Sequence, residues 1–129
     1  MAQIGMMRET QLSYDDVLAK LPDLLKAEGF GVLTRIDVKA TLKEKIGVDF
    51  KRYQILGACN PKFAHQALST DESVGVLLPC NVVVYDRDGG GTTVRAIDPM
   101  QTMAAADPRF APVATEVRAR LARVLDQLG

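Results

Sequence analysis

The chain has no tryptophan, a single histidine and two cysteines among its 129 residues, and aromatic residues make up only 5% of it. Two cysteines are too few for a disulfide scaffold, and in the reducing cytoplasm expected here both thiols stay free. One histidine leaves no H-x₃-H partner, and no C-x₂-C pair is present, so no metal site is expected and no cofactor is named. Net charge is also missing: 16 basic residues balance 16 acidic ones. That argues against a nucleic-acid binder, whose affinity rests on counterion release by a basic surface, and against a polybasic membrane module. It mildly favours self-association. No apolar run is long enough to span a bilayer. The longest, Val74 to Tyr85, is interrupted by Gly75, Pro79 and Asn81. Met1 to Arg8 shows no basic segment leading into an apolar one, so no secretory signal is expected there.

What remains is a globular composition, 47% hydrophobic and 25% charged, at a length that suits one domain spanning residues 1–129. Residues 3–10 read as a first strand. Ser13 is a helix cap, and Val17, Leu18, Leu21, Leu24 and Leu25 form one apolar face. Pro22 predicts a kink or restart in that helix, and Gly29 its end. Phe30–Asp37 alternates as a strand. Asp37 then caps a short helix over Lys39–Ile46, which Gly47 stops. Tyr53–Cys59 is another strand, and it enters a helix with Asn60 as cap and Pro61 as first residue. Val74–Leu78 and Asn81–Asp86 read as a long strand region, and Val74–Leu78 suits contacts between two copies and a buried central strand equally well. The glycines 89–91 turn the chain back into Thr92–Asp98. Asp107-Pro108 opens a turn. A final helix from Pro112 carries Val113, Val117, Leu121, Val124, Leu125 and Leu128 on one stripe. A hairpin-rich sheet with helices on one face is the two-layer solution for this order.

The chemistry is concentrated in Ile55-Leu56-Gly57-Ala58-Cys59-Asn60-Pro61 and Leu77-Leu78-Pro79-Cys80-Asn81-Val82-Val83-Val84. Cys59 ends a strand just before a helix N-terminus, where negative charge is favoured and a thiol acquires thiolate character. Lys62 lies close enough in sequence to assist. Cys80 follows Pro79 at the start of a strand, and both cysteines precede an asparagine, Asn60 and Asn81, able to orient local backbone. Two readings stay open: a reactive thiol with a resolving partner, or two small buried hydrophobes. His65, six residues after Cys59, is a thiol activator or a surface residue. Glu44 is a general base or part of a solvated face. Residues 39–62 hold six basic and two acidic side chains, either a landing site for an anionic ligand near Pro61 or charge scattered over a surface. The glycine run is no phosphate loop, since no Lys-Ser/Thr follows it and it joins two strands.

These two segments, together with Gly29-Phe30-Gly31-Val32, Ile36-Asp37-Val38, Lys43-Glu44-Lys45-Ile46-Gly47, Tyr85, the glycine turn and Asp98-Pro99, resemble the family catalogued as domain of unknown function 302. The resemblance covers most of the chain, and only Pro22 departs from the ordinary helix former expected there. It implies an α+β two-layer sandwich of β-α-β(4)-α order, similar to the TATA-binding-protein-like fold, with a curved, mainly antiparallel sheet and helices on one face. It also implies a homodimer, a context near sulfur metabolism for some members, and no established reaction. The resulting expectation is a small cytoplasmic ligand-binding or interaction module. Its site lies near Cys59 and Cys80, with Asn60, Lys62, Glu44 and Asn81 as ligand-binding residues. The alternative is a redox or sulfur-transfer protein using Cys59 with Cys80.

Overall fold

A computed structural model describes residues 3–129. Its strands are β1 (Met6–Thr10), β2 (Gly31–Asp37), β3 (Tyr53–Cys59), β4 (Cys80–Asp86) and β5 (Thr92–Ala96). Its helices are α1 (Tyr14–Ala27), α2 (Val38–Ile46), α3 (Pro61–Thr70), the four-residue α4 (Met103–Ala106) and α5 (Ala111–Asp126). The strands form one antiparallel sheet in the order β1-β5-β4-β3-β2. This is the expected α+β architecture, with helices on one side of a five-stranded sheet.

Local signals set most boundaries. The Ser13 hydroxyl accepts from the Asp16 N–H and starts α1. Gly29, at φ +89°, ends it by adopting a conformation that a side chain would resist. The Asp37 carboxylate accepts from the Ala40 N–H at the start of α2, and Gly47 closes that helix in the left-handed region. Gly89, Gly90 and Gly91 all have positive φ and join β4 to β5.

The core lies between the sheet and the pair α1 and α5. Val17, Leu21 and Leu25 of α1 meet Leu56, Val82, Val84 and Val94 of the sheet, with Val117, Leu121 and Val124 of α5 beside them. A smaller cluster of Ala67, Val74, Met103, Phe110 and Ala114 adjoins it. Val113 packs against both clusters.

Three expectations are corrected, and one short element is new. The first strand begins at Met6 rather than residue 3. Helix α1 runs through Pro22 as one element, so the helix does not restart there. Leu21 and Leu25 are fully buried on either side of the proline, and their burial is of the same order as the roughly 3 kcal/mol that an interior proline costs. Val74–Leu78 is not a strand: Glu72–Leu77 forms a 3₁₀ turn started by Asp71, whose carboxylate accepts from the Ser73 N–H and hydroxyl. Only Val74 of that turn is buried. The short helix α4 was not anticipated, because four residues show no periodicity.

Among the described residues, no helix covers the opposite face of the sheet. Strand alternation puts Asn81, Val83 and Tyr85 on this face, back to back with buried Cys80, Val82 and Val84. The register sets Met7, Arg95, Val83, Ile55 and Ile36 in one row across all five strands.

Candidate functional site

The strand β3 ends at Cys59, and α3 begins two residues later at Pro61. On the neighbouring strand, Cys80 is the first residue of β4, directly opposite Ala58. The pairing therefore brings two cysteines that are 21 positions apart in sequence to one end of the sheet. Both line a single cavity of about 380 Å³ at the seam between the two apolar clusters.

The cavity walls are almost wholly apolar. Phe30, Phe63, Leu78, Met103 and Val113 supply much of the surface, and Leu33 and Leu68 mark its outer edge at 67% and 39% exposed. Leu33 reaches this edge because the β2–β3 register shifts between Val32 and Thr34, which leaves Leu33 as the extra residue of a bulge. Gly57 and Pro79 crowd the adjoining sheet: a methyl group on Gly57 would lie 2.9 Å from the Pro79 ring.

The two thiols have different settings. Cys59 is half-buried, whereas Cys80 is only 8% exposed. Burial pushes the Cys80 thiol up to about 11, and the nearby Cys59 adds to the shift. Cys80 is thus protonated at neutral pH and is a weak donor rather than a nucleophile.

Of the other expected site residues, Asn60 alone lines this cavity. It occupies the cap position of α3 without capping it. Its side-chain Nδ2–H donates instead to the Glu28 carbonyl at 3.3 Å, where Arg120 also donates at 3.0 Å. Asn60 therefore joins the start of α3 to the end of α1. Lys62 is exposed and places its ammonium 5.8 Å from the Phe63 ring, outside the cavity lining. Glu44 is exposed on α2, a helix that buries no residue. His65 is exposed on α3. Asn81 lies on the other face of the sheet. The basic residues of 39–62 do not converge on the cavity either. Lys39 donates to the Phe50 carbonyl, Lys43 pairs with Asp49, Lys51 with Asp88, and Arg52 with Asp86. Among the described residues, no group of three or more His, Cys, Asp or Glu is placed to hold a metal ion.

The family model for the domain of unknown function DUF302 matches residues 6–128. The chain belongs to the DUF302 family. A crystal structure of an uncharacterized conserved DUF302 protein from Bacillus stearothermophilus superposes with a TM-score of 0.90 at 34% identity, covering 99% of this chain and 100% of the other. No curated protein matches the chain. Membership of DUF302 thus accounts for the fold and leaves the activity to be argued from the cavity. No helix among the described residues is long and apolar enough to cross a membrane.

The residues that sequence reasoning missed are the cavity walls, chiefly Phe30, Leu33, Met103 and Val113. Their apolar character was visible, but it reads equally well as core. The one local signal is the adjacent apolar pair Val32-Leu33 inside a segment that otherwise alternates, and it was passed over.

Proposed function

We propose that this DUF302 protein is a ligand-binding module, and that its site is the apolar cavity beside Cys59 and Cys80. The carrying observation is the cavity itself: about 380 Å³, within the range of small-molecule sites, with apolar walls and few polar groups. The expectation of an anionic ligand near Pro61 is replaced at this site by a neutral, apolar one, because among the described residues no cationic side chain lines it. The walls present almost no nitrogen or oxygen, so recognition rests on shape and apolar contact with the two thiols alongside. The module acts as a pair of identical chains, with the exposed turn at Val76 supplying apolar contact.

Thiol-based redox or sulfur transfer through Cys59 is the second reading, favoured by the two thiols sharing one cavity. A neutral fluorescent naphthylamine, N-phenyl-1-naphthylamine, separates the two. Its emission should rise on addition of the native protein, persist with Cys59→Ser, and be lost with Ala64→Phe, which fills the cavity from α3. Absence of binding, or equal binding by Ala64→Phe, would overturn the cavity reading. Abolition by Cys59→Ser alone would move the argument to thiol chemistry.

A further inference from the structure

The uncovered face of the sheet holds a groove of about 690 Å³, separated by the sheet from the cysteine cavity. Its floor is formed by Val83, Tyr85, Tyr53 and Arg95. The segment Gln3–Gly5 makes one rim, and Ile97 with Thr102 lies along the groove. That rim segment is tied down at both ends by one side chain: Gln101 accepts from the Gly5 N–H at 2.8 Å and donates to the Gln3 carbonyl at 2.9 Å.

Arg95 is the unusual member. It sits mid-sheet, opposite Val83 on one side and Met7 on the other, and is only partly exposed. Its Nε–H donates to the Tyr85 hydroxyl at 2.9 Å, and one terminal nitrogen reaches the Ile4 carbonyl at 3.4 Å. Among the described residues it meets no carboxylate, whereas Arg8, Arg52, Arg87, Arg109, Arg118, Arg120 and Arg123 all do; Arg35 also meets none, but it is solvent-exposed, while Arg95 is partly buried. Its second terminal nitrogen has no partner there. A partly desolvated guanidinium without a counter-charge is costly, and its fixed fork is suited to a carboxylate.

The surroundings specify the rest of such a ligand. Tyr53 and Tyr85 stack at 5.0 Å between centroids and 3° between planes, giving a rigid aromatic wall. Ile4, Val83 and Ile97 are apolar. The Thr102 hydroxyl is buried without a hydrogen-bond partner, and Thr102 lines the same groove. Asn81 adds an amide at the edge. Among the described residues Arg95 is the one positive charge that lines the groove; Lys51, near the Tyr85 ring, lies outside the lining and is engaged by Asp88. A single cation balances a single carboxylate better than a phosphate.

We propose that this groove is a second binding site, taking a small aromatic carboxylate with its charge on Arg95 and its ring against the Tyr53–Tyr85 wall. The test is an NMR titration of the ¹⁵N-labelled protein with benzoate, beside acetate (charge without ring) and benzamide (ring without charge). Benzoate should bind most tightly, with shifts centred on Ile4, Val83, Arg95 and Ile97. Arg95→Gln should weaken it about tenfold, the loss expected for a charge-assisted hydrogen bond. Tyr85→Phe keeps the ring but releases the guanidinium, and should weaken it about threefold. Ala64→Phe fills the cysteine cavity and should leave this titration unchanged, so each site stands or falls separately. The proposal is overturned if benzamide or acetate binds the groove as well as benzoate, if Arg95→Gln binds benzoate normally, or if the shifts surround Phe30 and Phe63 instead.

Discussion

At the scale of single residues, the two cysteines divide the work of exposure and burial. Half-buried Cys59 should take N-ethylmaleimide in the native protein at neutral pH, while Cys80 stays unmodified until the chain unfolds. Intact mass reads this as one adduct, then two, and equal labelling of both thiols would contradict it. Burial, with Cys59 adding to it, also makes Cys80 a source of alkaline instability. Its thiol ionises near 9.0 in the unfolded chain and near 11 in the fold. Between those values the unfolded chain has released a proton that the fold retains, so stability is intact below pH 9 and is lost as pH rises through about 11. The contribution amounts to about 2 kcal/mol by about pH 10.5. Tyr14 and Tyr53, both raised chiefly by burial, act in the same direction. The Cys80 share is isolated by Cys80→Val, whose urea midpoint should fall less than the native one between neutral and alkaline pH. Parallel curves would show that the thiol is not the cause.

At the scale of elements, the join of β2, β3 and β4 is the tightest point near the candidate site. Gly57 lies opposite Thr34 on one side and Asn81 on the other, and the Thr34 hydroxyl and the Pro79 ring occupy the space that a side chain would need. Gly57→Ala should cost about 1–3 kcal/mol through overpacking, and Thr34→Ala in the same chain should restore part of it. Urea unfolding measures both, and a Gly57→Ala protein of native stability would refute the packing. This join also shows what a lone sequence conveys. The limits of β3, the caps Ser13 and Asp37 and the stops at Gly29 and Gly47 were legible, because each depends on neighbours within a few residues. The stripe of α5 was legible because a period is local too. Val74–Leu78 was misread because a short apolar run carries no period that separates a strand from a turn. The sharing of one cavity by Cys59 and Cys80 depends on the Ala58–Cys80 register, a pairing that no local pattern contains. Asn81 was grouped with the site near Cys80, yet it lies on the opposite face, because one residue along a strand reverses the side chain's direction.

At the scale of the whole molecule, the distribution of apolar surface is uneven in a way that one chain does not resolve. Val76 is 88% exposed on its 3₁₀ turn, and Leu68, 39% exposed, lies beside Gly75 of the same turn. Leu33 and Leu68 stand at the outer edge of the cysteine cavity. Exposed apolar groups gathered at one place favour a partner, and zero net charge removes the long-range repulsion that would keep identical chains apart. A second copy seated on this turn would also cover the cavity edge, so pairing and ligand retention would rise together. Size-exclusion chromatography with light scattering should therefore return twice the 14.0 kDa chain mass at micromolar concentration. Val76→Asp should return the single-chain mass while leaving the fold intact, since the side chain it replaces makes almost no contact within its own chain. It should also weaken retention of N-phenyl-1-naphthylamine without abolishing it. A native protein that elutes as a single chain, or a Val76→Asp protein that still pairs, would remove the turn from the interface and leave the cavity to work alone.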